Sequence, residues 1–209
     1  MAKALDVIGD RWTLLIVREL MLAGPCRYTD LRNGLPGIAT NLLAERLREL
    51  EEAGVIYREA APPPIATTLF HLTERGRQLL PVIRELGRWG APLLADAKDG
   101  EAFRSHWIAL PFELYYYDPT PGRPPVAIEL HIGDEPPMVI ETVDGKIRAR
   151  RGTVPQPHGV ISGPARLVIG VLSGRIHLED ARSQGLQFDG DPEVLARVRS
   201  SSLEEPVSS

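Results

Sequence analysis

Cysteine is nearly absent from this 209-residue chain: Cys26 stands alone. That excludes an intramolecular disulfide framework and a cysteine-rich zinc site, and it fits a reducing compartment. No apolar run approaches the roughly 18–20 residues of a membrane span. The N-terminal MAKALDVIGDRW meets Asp6 and Asp10 too early to hold the apolar stretch of a signal peptide. A cytoplasmic protein with no membrane partner is the expectation. The histidines (His71, His106, His131, His158, His177) are scattered, without an HExxH pair or Cys/His ligand spacing. There is no GxSxG elbow, Walker A loop or dinucleotide fingerprint. These absences point away from an enzyme, and no metal or cofactor is expected. Excess positive charge is lacking too. A net charge of -4 argues against a nucleic-acid binder that is basic throughout, but leaves room for a local basic face.

What is present is unevenly divided. Residues 1–98 hold 13 Lys+Arg and 12 Asp+Glu, net +1, whereas residues 99–209 hold 11 and 16, net -5. The length suits one large or two small domains, each able to bury a core. Two charge balances suggest two domains with different tasks.

In the first half, Leu5, Ile8, Trp12, Leu15, Ile16 and Leu20 recur at helical spacing, which predicts one helix over Ala4 to Leu22, stopped by Gly24-Pro25. Tyr28 to Arg32 is a short helical turn closed by Gly34, Pro36 and Gly37. A longer helix opens at Thr40, the expected N-cap, and runs to Ala53, with Gly54 as its stop. Leu43, Leu47 and Leu50 share one face of it; Asn41, Ala44, Glu45 and Arg48 share the other. The period then changes. Val55 to Arg58 and Thr67 to Leu72 read as paired strands, joined by a segment containing Pro62-Pro63-Pro64. Thr73 caps a last helix with Leu79, Val82, Ile83, Leu86, Trp89 and Leu93 as its stripe, kinked at Pro81. A short helix, a tight turn and a capped second helix form a helix-turn-helix, and the hairpin after it stands where a wing would. A small α+β domain with no nucleic-acid role has the same element order.

The residues themselves are more specific. Ala4-Leu5-Asp6-Val7-Ile8-Gly9-Asp10-Arg11-Trp12-Thr13-Leu14-Leu15-Ile16 resembles the first helix of the HxlR family of bacterial winged-helix transcription regulators. Tyr28-Thr29-Asp30-Leu31-Arg32 and Leu35-Pro36-Gly37-Ile38 resemble its second helix and turn. Leu43 to Gly54 resembles its recognition helix, Leu72-Thr73-Glu74-Arg75-Gly76 the close of its wing, and Trp89-Gly90 its last helix. The similarity spans roughly residues 3–95, in order. It implies a homodimer, paired through the first and last helices, on double-stranded DNA, with one recognition helix per protomer in the major groove. Trp12, Leu15, Leu86 and Trp89 would then supply interface area, although each also fits an ordinary core.

On that footing Thr40 and Asn41 lie where backbone N–H groups and the helix dipole meet a phosphate. Asn41, Ala44, Glu45 and Arg48 are candidates for base edges: Arg pairs with guanine, Asn with adenine, and Glu accepts from cytosine N4. Arg27, Tyr28, Arg32 and Arg58 are phosphate candidates, which position a protein rather than specify its site. Residues 40–53 are nonetheless net -2, so their Arg–Glu pairs also read as solvated ion pairs. The expected wing tip, Ala-Pro-Pro-Pro-Ile-Ala, has no Lys or Arg, which predicts a shallow salt dependence of DNA binding. Several HxlR-type regulators sense oxidants through a cysteine near the start of the first helix. This chain has none there; Cys26, beside Arg27, is expected to be a small turn residue.

In the second half, Glu101 to Leu110 reads as a helix bringing Phe103 and Trp107 together, and Leu114 to Tyr117 as strand or continued helix. After the breaker-rich 118–125 come three alternating runs, Val126 to Ile132, Met138 to Val143 and Lys146 to Arg151, with Asp144-Gly145 a strong hairpin signal. Gly159 to Ser162 is a short strand, Pro164 to Leu172 and Leu178 to Ser183 are helical, Leu186 to Phe188 is a strand, and Asp191-Pro192 opens a final helix. Arg148 and Arg150 share a strand face and would suit a carboxylate or plain solvent. This predicts an α+β domain with an antiparallel sheet. Its end, Gly163-Pro164-Ala165, Leu172-Ser173-Gly174-Arg175-Ile176 and Asp189-Gly190-Asp191-Pro192, resembles sterol-carrier-protein-like domains over about residues 125–199. That resemblance implies an apolar pocket for a small hydrophobic effector. The expected organisation is 1–97 winged helix-turn-helix, 98–199 sterol-carrier-like, and 200–209 a disordered Ser-rich tail. The expected function is a dimeric, ligand-modulated transcription regulator. The alternatives are a second domain serving only interaction, or a hydrophobic-ligand carrier whose helix-turn-helix is degenerate.

Overall fold

The computed structural model describes residues 1–62, 67–90 and 103–201. The chain falls into two compact units, Met1–Ala102 and Phe103–Ser209. No helix among the described residues is long and apolar enough to cross a membrane.

The expected first helix is two helices, α1 (Ala2–Ile8) and α2 (Arg11–Ala23). They part because Asp10 turns to extended backbone and its Oδ1 accepts the Trp12 N–H at 2.8 Å, a local cap that outcompetes a continuous helix. Cys26–Arg27 forms a two-residue strand, β1, too short to leave a period in the sequence. Then follow α3 (Tyr28–Gly34) and α4 (Thr40–Glu52). Thr40 is not the N-cap: that position is Ala39, and Thr40 is the first helical residue. Ala39 is extended and gives no side-chain cap, and Ile38 before it is buried in the core at 9% exposure. Strands β2 (Ile56–Ala61) and β3 (Thr67–Leu72) pair antiparallel from Ile56↔Leu72 to Ala61↔Thr67, and β1 adds to the other side of β3. The tip residues 63–66 of the expected wing, including Pro63 and Pro64, lie outside the described residues.

The Thr73 cap is as expected, its Oγ1 accepting the Gly76 N–H at 3.0 Å, but the helix it opens is only α5 (Glu74–Arg77). A separate α6 (Leu80–Gly90) follows. Pro81 therefore does not kink a helix interior; it sits in a first turn, where its missing N–H removes no helical bond. Ile16, Val17, Leu31, Leu43, Leu50 and Ile56 form the centre of this unit's core. Gly76 is fixed by close approach, since a Cβ there would lie 2.3 Å from the Val55 carbonyl oxygen. Gly76→Ala is expected to destabilise the N-terminal unit by about 1–3 kcal/mol, an overpacking cost measurable as a lower urea midpoint.

Of the helix expected over Glu101 to Leu110, residues 101–102 lie outside the described residues, and Phe103 and Arg104, which open the C-terminal unit, are not helical. A 3-10 turn at Ser105–Ile108 leads into α7 (Ala109–Tyr115) and β4 (Tyr116–Tyr117). The expected helix starts late because Ser105 is bonded elsewhere: its N–H to Glu135 Oε2 at 3.2 Å and its hydroxyl to the Pro136 carbonyl at 2.7 Å. Phe103 and Trp107 still meet edge-on, centroids 6.4 Å apart. The remaining strands are β5 (Ala127–Ile132), β6 (Met138–Val143), β7 (Lys146–Arg151), β8 (Gly159–Gly163), β9 (Gln187–Gly190) and β10 (Arg199–Ser200). Asp144 and Gly145, at φ 50° and 79°, make the left-handed two-residue turn between β6 and β7.

The sheet order is β10-β4-β7-β6-β5-β8-β9. It is not purely antiparallel: β8 runs parallel to β5, from Ile128↔Gly159 to Ile132↔Gly163. Segment 152–158 makes this crossover, tied by Val154 N–H to Glu129 Oε2 and His158 N–H to the Ala127 carbonyl. Helices α8 (Ala165–Leu172) and α9 (Leu178–Ser183) follow as expected. The last expected helix is a 3-10 turn, Pro192–Arg197, after which Arg199–Ser200 returns to the sheet beside β4. Ser200 is thus a strand residue rather than the start of a tail; residues 202–209 of that expectation lie outside the described residues. Arg197 anchors this end by donating two buried hydrogen bonds to the Asp118 carboxylate, Nε to Oδ1 at 2.8 Å and Nη2 to Oδ2 at 2.6 Å. No local pattern could signal a pair 79 residues apart.

Candidate nucleic-acid interface

Helix α4 is amphipathic in the manner a recognition helix requires. Leu43, Leu47 and Leu50 are buried, while Thr40, Asn41, Ala44, Glu45 and Arg48 are exposed. Burial of the leucines, at about 25 cal/mol per Å² of apolar surface, fixes which face points outward. Three polar ties then set the helix in place. The Tyr28 hydroxyl donates to the Thr40 carbonyl at 2.8 Å, joining the start of α3 to the first turn of α4. Arg46 contacts Glu49 and lies 3.8 Å from Asp10, linking mid-helix to the cap of α2. Arg58 of β2 grips Glu51 with Nε to Oε1 at 3.0 Å and Nη2 to Oε2 at 2.5 Å. The Glu51 hydrogen bond, then its charge, holds the Arg58 guanidinium above its usual range.

These contacts redistribute the expected phosphate ligands. Arg27 and Arg32 are exposed, on β1 and α3, with Arg27 giving its backbone N–H to Asp30 Oδ2 at 3.0 Å. Tyr28 gives its hydroxyl proton to α4 and Arg58, its side chain 56% exposed, binds Glu51, so both brace the helix-turn-helix. Arg48 reaches Glu52 at 3.8 Å with both side chains largely in water, a pairing loose enough to be exchanged for a base edge. Arg46 was not singled out by its sequence position, because its role depends on Asp10 lying across the fold. On the described part of the wing, Tyr57 stacks on His71 at 4.8 Å and His71 Nε2 lies 3.1 Å from Glu59. Cys26 is buried, its thiol donating to the Gly24 carbonyl at 3.3 Å.

The four expected interface residues divide two and two. Trp12 and Leu15 are partly buried and pack against the core, with Arg11 stacked over the Trp12 ring at 4.7 Å. On α6, Leu79 before it and Ile83 within it face the core, whereas Val82, Leu86 and Trp89 are 43%, 50% and 73% exposed. Those three recur at i, i+4 and i+7, one continuous apolar face. Leu5 on α1 is also exposed.

Residues 7–98 match the family described as HxlR-like helix-turn-helix. The chain is 37% identical over 87 residues to the HTH-type transcriptional regulator YvaP of Bacillus subtilis, covering 42% of this chain and 80% of that protein. It is 36% identical over 89 residues to the HTH-type transcriptional regulator YodB of the same species, covering 43% and 79%. The solved structure of reduced YodB is 33% identical, covers 47% of this chain and 95% of its own, and overlays with a TM-score of 0.41. With the helix-turn-helix, hairpin and flanking helices all in one N-terminal unit, the chain belongs to the HxlR-like helix-turn-helix family.

Proposed function

We propose that the protein is a homodimeric transcription regulator that reads DNA through α4 and is modulated through its C-terminal unit. The observation that carries this is the exposed Asn41–Ala44–Glu45–Arg48 face, held outward by a buried leucine face and fixed by Tyr28, Arg46 and Arg58. The outward face of α6, with Leu5 on α1, supports pairing through the first and last helices of the N-terminal unit. A two-fold pair would bring two copies of α4 to half-sites about one helical turn apart. Asn41→Ala and Arg48→Ala are each expected to weaken the preferred site by about 1–3 kcal/mol while leaving binding to mixed-sequence duplex nearly unchanged. Gel shifts on the region upstream of the protein's own coding sequence, against a scrambled duplex, measure both. Equal losses on the two duplexes would reduce these residues to phosphate contacts. Failure of the intact dimer to shift either duplex at low salt would favour the hydrophobic-ligand carrier.

For the C-terminal unit the reading is a small apolar effector, supported by the sterol-carrier-like resemblance and by helix α8 packed beside β8 and β5. Ile128, Leu130, Ile161, Leu167 and Val168 are all closed to solvent. A ligand among them would have to displace packed side chains, which couples its binding to a change of shape. It would regulate only by binding the DNA-competent state and its alternative unequally. A fluorescent fatty acid is expected to bind saturably and to change operator affinity; no saturable binding would favour a unit that serves interaction alone.

A further inference from the structure

The C-terminal unit carries a basic face that its overall charge conceals. Along β7, Lys146, Arg148 and Arg150 are exposed and alternate with Ile147, 2% exposed, and half-buried Ala149. At about 3.4 Å per residue the three cations stand roughly 6.8 Å apart on one side of the sheet. The row continues across strands, because Lys146 pairs with Tyr117 and Tyr117 pairs with Arg199. Directly paired residues share a face, so Arg199 lies in line with Lys146. Four of the 11 Lys+Arg in residues 99–209 thus share one face, within a segment whose net charge is -5, while Arg151, the next residue of the strand, lies on the other.

Two acids lie within this patch, and both are engaged. Glu141, opposite Arg148 in register, binds Arg150 at 2.9 Å. Glu113 Oε1 accepts the Ala149 N–H at 3.0 Å. Lys146, Arg148, Arg151 and Arg199 make no ion pair among the described residues. Beside them runs an open groove of about 380 Å³ bordered by Glu113, Lys146, Ile147 and Arg148. Small-molecule sites enclose most of their ligand. Two unpaired cations bordering an open groove, with Arg199 in line beyond them, suit instead a polyanion whose charges repeat along a line.

We propose that this β7 face is a second contact surface for the phosphate backbone of the DNA. The inference rests on the reading that the protein binds DNA. It assigns to the C-terminal unit a share of the sequence-independent affinity that the near-neutral N-terminal unit has few groups to supply, and so replaces the shallow salt dependence expected from the uncharged wing tip with a steeper one. Its effect would be to lengthen the footprint without adding base-specific contacts.

The test is the salt dependence of binding by the full-length protein to mixed-sequence duplex DNA, followed by fluorescence anisotropy. Lys146→Gln/Arg148→Gln/Arg199→Gln removes exposed, unpaired charges and is expected to melt like the wild type. Each phosphate contact contributes about 0.9 to the slope of log K against log salt. The triple variant should therefore flatten the slope by about 2–3 per protomer and weaken low-salt binding by tenfold or more. Arg148→Lys, which keeps the charge, should retain the slope. An Arg27→Gln/Arg32→Gln variant reports the N-terminal contacts in parallel. If that variant flattens the slope and the triple variant does not, the β7 face does not touch DNA and the proposal falls. Unchanged DNA binding by the triple variant with lost binding to phosphatidylserine-containing vesicles would overturn it in favour of a membrane surface. Absence of any binding by the wild type at low salt would instead overturn the DNA-binding reading on which it rests.

Discussion

Replacing Arg197 by alanine is expected to destabilise the C-terminal unit by about 3–5 kcal/mol, the cost of leaving a buried carboxylate without its partner. Asp118 and Arg197 have side chains only 2% and 8% exposed. Asp118 Oδ1 also accepts the backbone N–H and hydroxyl of Thr120, both at 2.9 Å, and Arg197 Nη1 donates to the Pro124 carbonyl at 3.1 Å. The pair therefore organises the irregular 118–125 segment and ties it to the end of the chain. Urea unfolding followed by the signal of the C-terminal unit would measure the loss; a change under about 1 kcal/mol would show that water replaces the guanidinium at no cost. Replacing both partners, as Asp118→Leu with Arg197→Met, should recover much of the stability, because no uncompensated charge then remains.

The same pair gives this unit an acid limit. The Arg197 hydrogen bond is the largest influence holding the Asp118 carboxyl down to about 2, from an ordinary 3.8. A depressed carboxyl contributes stability that is fully present above its unfolded value. That stability is lost as pH falls from about 4 through about 2. The contribution is about 2 kcal/mol at neutral pH. Asp118→Asn should remove this part of the acid transition, so that its stability varies less than the wild type's between those values.

Leu86→Glu together with Trp89→Glu is expected to yield a monomer whose operator affinity is lower by about 100-fold or more, since linked half-sites gain that much from avidity. Neither side chain supports the N-terminal core: Leu86 is 50% and Trp89 73% exposed, while Leu79 and Ile83 make the inward contacts. The substitutions should therefore leave the unit folded, its melting temperature lowered only by the stabilisation that dimerisation supplied. Sedimentation would show the change of mass, and gel shifts the loss of affinity. A variant that stays dimeric would move the pairing surface elsewhere, and a monomer with undiminished affinity would remove the need for two half-sites.

The periodic features of the chain were legible without coordinates. The leucine face of α4, the β2–β3 hairpin, the Asp144-Gly145 turn and helices α8 and α9 all follow from spacing and turn chemistry, which act within a few residues. The resemblance to the HxlR family likewise rests on residues in order, from Ala4 to Gly90. The structure departs from these tendencies where a neighbour in space overrides them. Asp10 split the first helix by capping the second. Ser105 was drawn to Glu135 and Pro136. Ser200 left the expected tail to pair, together with Arg199, beside β4.

Among the candidate DNA contacts, the sequence by itself determined which residues of α4 lie opposite its leucines, because a helix of fixed pitch allows one answer. Only the tertiary structure decided what the neighbouring polar groups do. Tyr28 and Arg58 carry the residue types of phosphate ligands, yet one holds Thr40 and the other Glu51. The second unit shows the same division. The alternation of Lys146, Arg148 and Arg150 is written in the chain, but Arg199 joins them only through the register of β10, β4 and β7. Local periodicity sets the direction in which a side chain points. The pairing of distant strands, and the choice each charge makes among partners, depend on distances that the chain order does not contain.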